Sequence, residues 1–158
     1  MAKITLNQFR ARQFGGAPYG NGTTLAYRLK TAANGGAESA DVATPLAIGD
    51  KVVLGDLPSG MRLDDLVLVV STAFSASVTA SIGFEYADGV DSTEVPQDAA
   101  YFGAGIALAT AARLRNSSTK AIVTLPKPAK LVLTTAGAAN AKAAMVDVLV
   151  SGELTGAR

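Results

Sequence analysis

At 158 residues, 49% of them hydrophobic, the chain fits one domain with a sizeable core. Cysteine, histidine and tryptophan are absent, which excludes a disulfide framework and both thiol and imidazole chemistry. Net charge is only +1, no apolar run approaches the ~18–20 residues of a membrane span, and the start carries no signal-peptide block. A soluble protein made in the cytoplasm is expected.

Along the chain, "MAKITL" can add a strand. The following "NQFRARQFGGAPYGNG" scatters Phe9, Phe14 and Tyr19 among arginines and glycines with no period. Residues 1–22 therefore read as an extended N-terminal arm, and residues 23–158 as a single β-sandwich domain. Such an arm cannot bury its aromatics within itself; it lies against its own domain or reaches onto a neighbour. Arginine and aromatic residues are enriched at binding hot spots, so Arg10, Arg12, Phe14 and Tyr19 are the candidate partner-binding residues.

Thr23–Lys30 sets Leu25, Tyr27 and Leu29 against Arg28 and Lys30, the period of a strand. Lys51–Leu54 is a short strand candidate. In Leu66–Phe74 an unbroken apolar run with β-branched residues and flanking turns predicts a strand covered on both faces. Val78–Tyr86 alternates strictly and predicts a strand with one wet face. The alanines of Gly103–Arg115 would suit a helix. Its apolar residues Ile106, Leu108, Ala112 and Leu114 all fall on even positions, however, and Gly103 and Gly105 weaken a helix start; a strand is expected. Ala121–Leu125 and Lys130–Thr135 are shorter candidates, and Ala143–Ser151 sets Val146, Val148 and Val150 against Asp147 and Ser151. Turn residues separate these runs throughout. Eight or nine antiparallel strands make a two-layer sandwich, a jelly roll or Greek key, or a closed barrel.

Charges are segregated along the chain. Lys3, Arg10, Arg12, Arg28 and Lys30 lie in an acid-free start, Glu85, Asp88, Asp91, Glu94 and Asp98 in a base-free middle, and Arg113–Lys142 holds six basic residues and no acid. They form solvated faces, or complementary surfaces that meet between copies. Nucleic acid would want a net basic chain with aromatics among its cations, and nine Phe plus Tyr in all do not supply that. "DGVDSTE" lacks the ligand spacing and glycine of a calcium loop and reads as a solvated hairpin loop. Asp64 and Asp65, adjacent on a strand, point to opposite faces and would not share an acid–base site. "GGAPYGNG" lacks the ending of a phosphate loop. No catalytic, cofactor or metal site is predicted.

The stretches "GDLPSGMRLDDLVLVVSTAF", "ASIGFEYADGVD", "DAAYFGAG" and "AAMVDVLVSGEL" resemble small jelly-roll structural proteins of tailed bacteriophages, over about Leu57–Leu154. The likeness lies in turns and hydrophobic positions and leaves the arm outside. It implies an antiparallel β-sandwich of the jelly-roll kind and a non-enzymatic virion protein. A capsid decoration (cement) protein would bind the major capsid protein on the shell surface as a dimer or trimer, with neither nucleic acid nor membrane as partner. The alternative is a receptor- or carbohydrate-binding sandwich of a head fibre or tail, for which the absence of tryptophan platforms is unfavourable.

Overall fold

The computed structural model describes residues 1–6 and 21–155. These hold ten strands and no helix: β1 (Lys3–Thr5), β2 (Gly22–Thr31), β3 (Lys51–Leu57), β4 (Met61–Thr72), β5 (Thr79–Tyr86), β6 (Asp98–Ala107), β7 (Ala112–Arg115), β8 (Val123–Thr124), β9 (Ala129–Ala136) and β10 (Ala144–Leu154). One sheet runs β1-β3-β9-β5-β6 and the other β2-β10-β4-β7, with β8 joined to β4.

The topology is that of a long hairpin folded over on itself. Setting aside β1 and β8, the first strand pairs with the last (β2 with β10), the second with the seventh (β3 with β9), the third with the sixth (β4 with β7) and the fourth with the fifth (β5 with β6). All four pairs are antiparallel. Cross-pairing of β10 with β4 and of β9 with β5 then gathers alternate pairs into the two layers. This is a jelly roll. β1 departs from the antiparallel pattern, because it lies parallel to β3 at the sheet edge. The chain visits the other sheet as β2 before it returns as β3.

Alternation fills the space between the layers. Val78, Ile82, Phe84, Val146, Val148 and Val150 are each at most 1% exposed. The run Leu66–Val70 corrects its sequence reading: Leu66, Leu68 and Val70 are buried, while Val67 and Val69 are half-buried on the outer face. An unbroken apolar run here marks a strand with an apolar outer side, not one covered on both sides. Gly103–Arg115 is strand, but two strands in different sheets. Buried Leu108 makes the crossing, donating its N–H to Val78 and accepting that of Phe74.

Two irregularities shape the surface. Between the partners Ile82↔Gly103 and Phe84↔Asp98, residues 99–102 of β6 lie opposite the single residue Gly83. This bulge carries Tyr101 and Phe102 into the core, where Phe84–Tyr101 and Tyr101–Phe102 stack edge to face at 5.5 and 4.9 Å. A second bulge in β4 pairs Asp65 with Ser151 and Leu63 with Gly152. Leu63 and Leu66 both point inward, so Asp64 and Asp65 both emerge on the outer face. The expectation that they point apart is corrected; the inserted residue breaks the period of two.

Candidate functional site

The arm residues Arg10, Arg12, Phe14 and Tyr19 lie outside the described residues. Their roots are built into the sandwich. Ile4 and Leu6 are buried in the core, and Leu6 donates its N–H to Val53. Asp50 accepts from Ala2 N–H at 2.9 Å and Asp41 from Thr5 N–H at 2.8 Å. On the return, the Asn21 carbonyl accepts Leu154 N–H at 2.7 Å.

The fold brings the segregated charges together within one chain. The acids of residues 85–98 meet lysines distant in sequence: Glu85 with Lys51, Asp98 with Lys120, and Asp88 with Lys127 at 2.8 Å. The Lys51–Glu85 pair crosses β9 on the outer face of its sheet, where Val53 and Val132 are also found. The hydrogen bond from Lys127, helped by Val90 N–H, holds the Asp88 carboxyl below its ordinary range. At Asp98 burial pushes upward, but the Lys120 and Ala100 hydrogen bonds prevail and leave it lowered. Burial raises the Tyr86 hydroxyl, a Ser92 hydrogen bond opposes this, and the field of Asp91, Glu94 and Asp88 adds to the rise. Solvent-facing pairs of this kind contribute little stability each, so their effect is to neutralise the acidic stretch against its own chain.

Between the 94–98 part of this loop and residues 120–123 lies an open cleft of about 330 Å³. The Phe84 and Tyr101 rings stand at its base, Val95 and Val123 line it, and Glu94, Asp98 and Lys120 bring charge to it. Tyr101 is held by its hydroxyl donating to Ala121 at 2.8 Å, and Tyr86 by its hydroxyl donating to Val95 at 2.5 Å. Lys127 lies 4.6 Å from the centre of the Tyr86 ring. Sequence reasoning missed this cleft. The "DAAYFGAG" segment was its one visible signal, but that Tyr101 and Phe102 both turn inward depends on a bulge that no periodicity announces.

On the opposite layer, the outer face of β2-β10-β4-β7 carries half-buried Val67, Val69 and Leu149 in adjoining rows. Ion pairs frame them. Arg28 forks Asp147 directly across from it, at 2.6 and 3.2 Å. Arg62 bridges Asp64 and Glu153 at 2.6 and 2.7 Å, and Arg115 pairs with Asp65. Asp64 and Asp65 are thus each held by a different arginine. Among the described residues no group of three or more acidic side chains could hold a metal ion, and no helix could cross a membrane.

A chain in the capsid of Ralstonia phage GP4 superposes with a TM-score of 0.66, covering 99% of this chain and 100% of that one at 16% identity. The fold is that of a phage capsid chain. A chain of the cyanophage Pam1 capsid asymmetric unit superposes with a TM-score of 0.53, covering 91% and 95% at 15% identity. No family model and no curated protein matches the chain. At such identities the likeness is one of backbone path, and it transfers no side chain of the cleft or of the charged face.

Proposed function

We propose that this chain is a non-enzymatic structural component of a phage virion, a decoration (cement) protein that binds the major capsid protein on the shell surface and associates with itself as a dimer or trimer. The observation that carries the reading is the end-to-end superposition on a chain of the Ralstonia phage GP4 capsid. The physical character of the molecule supports it. Two sheets packed over one continuous apolar core make a rigid body, and rigid bodies bind large surfaces without a heavy ordering cost. The outer face of β2-β10-β4-β7 offers apolar Val67, Val69 and Leu149 within a frame of ion pairs, the composition of an interface core inside a polar rim.

The test is made on particles. The protein is added to empty shells assembled from the major capsid protein of the same phage, and bound copies are counted after gradient sedimentation. Saturable binding at a fixed ratio to the capsid subunit, with a higher shell melting temperature, is the expected result. Free protein left at the top of the gradient at every concentration would overturn the reading.

A further inference from the structure

β7 ends its sheet, with β4 as its one strand neighbour. Asn116 N–H donates to Leu66, and an antiparallel strand turns the backbone groups of alternate residues to opposite sides. Leu114 and Ala112 therefore face β4 with their N–H and C=O groups, while Arg113 and Arg115 turn theirs outward. No backbone group among the described residues meets them there. The side chains divide by face. Arg113 stands directly across from Val69, and Arg115 from Val67, on the outer face of the sheet. Leu114, across from buried Leu68, packs against the core between the layers but is only half-buried. Charge is unbalanced at one residue. Every other cation on the strands of this sheet is held by an acid: Arg28 by Asp147, Lys30 by Glu38, Arg62 by Asp64 and Glu153, and Arg115 by Asp65. Arg113 is exposed and has no ion pair among the described residues.

An edge with outward N–H and C=O groups is a template for one more strand, and this edge also restricts which strand. A second copy's β7 does not fit. Any antiparallel register that joins the outward residues of two such edges sets arginine across from arginine, and like charges directly opposite are destabilising. The other edge strands of the chain are no better. β1 and β2 bring Lys3, Arg28 and Lys30, and the one acid of β6, Asp98, is already held by Lys120. The complement is an extended segment of a different protein. It carries an acidic side chain where it passes Arg113 on the outer face, and an apolar one at the next position, where it covers the open side of Leu114. In strand addition of this kind main-chain hydrogen bonds supply the affinity and alternate side chains the selection. β7 is short, so each contact is weak, and many copies on one surface compensate.

We propose that β7 is extended by one added strand of the major capsid protein, whose side chains alternate between acidic and apolar, with Arg113 as the residue that selects it. The source of the strand rests on the decoration reading above; its chemistry rests on the edge itself. The test uses the full chain and empty shells assembled from the major capsid protein. Amide hydrogen exchange is read at single residues, free and shell-bound, and binding is read by gradient sedimentation. On shells the Arg113 and Arg115 amides should exchange at least about tenfold more slowly, while those of Ala112 and Leu114, already bonded to β4, change little. Arg113→Glu should weaken binding about tenfold and Arg113→Lys much less. Arg113→Pro removes an outward N–H, which an edge strand tolerates, and should weaken binding too while the free protein melts within a few degrees of the parent. Parent protein that binds shells with unchanged exchange at both amides overturns strand addition, even if Arg113→Glu binds poorly, because the arginine is then only a surface charge. Equal binding by Arg113→Glu overturns the selection. Slowed exchange that instead appears in the free protein as its concentration rises makes a second copy the occupant and overturns the proposal. Shells that take up no parent protein overturn the decoration reading and, with it, the shell as the source of the strand.

Discussion

Asn140 sits in "AGAANAK", a stretch whose composition announces only a loop. In the fold it is 1% exposed and works as a hub. Its amide donates to Thr31 Oγ1 and to the Gly35 and Lys142 carbonyls, and its carbonyl accepts from the Ser75 N–H and hydroxyl. Removing it strands several buried polar groups, each costing about 1–3 kcal/mol. Asn140→Ala should therefore destabilise by about 2–4 kcal/mol in urea unfolding, as much as a core truncation. Phe84→Ala should cost about 3–5 kcal/mol, because the ring is fully buried and meets Tyr86 and Tyr101 edge to face. The core role of Phe84 was legible from its alternation; that of Asn140 was not, since a hydrogen-bond hub has no period. Acid stability belongs to this scale as well. Asp64, lowered chiefly by its hydrogen bond from Arg62, and Asp88, lowered chiefly by Lys127, stabilise the folded state only while ionised. Their contribution is present above the unfolded carboxylate range near pH 4 and is lost as pH falls through the lower folded values. With no histidine in the chain, the thermal midpoint should stay level from about pH 7 to 5 and decline only below about pH 4. Asp64→Asn should make that decline shallower in a melting series.

At the scale of elements, regular alternation identified β2, β5 and β10 almost residue by residue, because each has one face on the core; β9 stood only as the shorter candidate Lys130–Thr135, since Leu131, Val132 and Leu133 are all buried and break the alternation. The bulges were not legible. Both replace the period of two with a local insertion, and their positions follow from which backbone atoms must pass one another. Gly83 shows the constraint: a Cβ there would stand 1.9 Å from the Asp98 carbonyl oxygen, where the bulge of β6 crosses. Backbone on both sides cannot yield as a side-chain tip would. Gly83→Ala should thus cost roughly 1–3 kcal/mol, and the loss of Tyr101 and Phe102 packing should appear in near-ultraviolet circular dichroism. Full stability and an unchanged aromatic spectrum would show that β6 can shift register freely. β7 was merged with β6 in the sequence reading because the crossing at Leu108 keeps the same parity, and parity carries no information about which sheet a strand joins.

For the whole molecule, the arm must be separated from its roots before its role can be measured. Deleting residues 1–22 removes Ile4 and Leu6, both buried against the core. At about 2–5 kcal/mol for each large apolar side chain lost, that truncation should unfold or melt far below the full chain. Replacing residues 8–19 with a glycine–serine segment of equal length keeps β1 in place. That variant should melt within a few degrees of the parent while binding empty shells far more weakly, as read by gradient sedimentation. Equal shell binding by both proteins would remove the arm from the attachment surface.

By itself the sequence determined the all-β class, the jelly-roll expectation through its resemblance, most of the strands and the residues of the core, because burial against one layer imposes a period that any single strand displays. It also showed charges in blocks, without their partners. Only the tertiary structure decided that Asp88 and Asp98 meet Lys127 and Lys120, that Asp64 and Asp65 share a face, and that rings from β5 and a bulge in β6 form the base of a cleft. The reason is one of range. Periodicity is set by neighbours two residues apart, whereas ion pairs, bulges and clefts are set by the register of strands that the chain joins only after long detours.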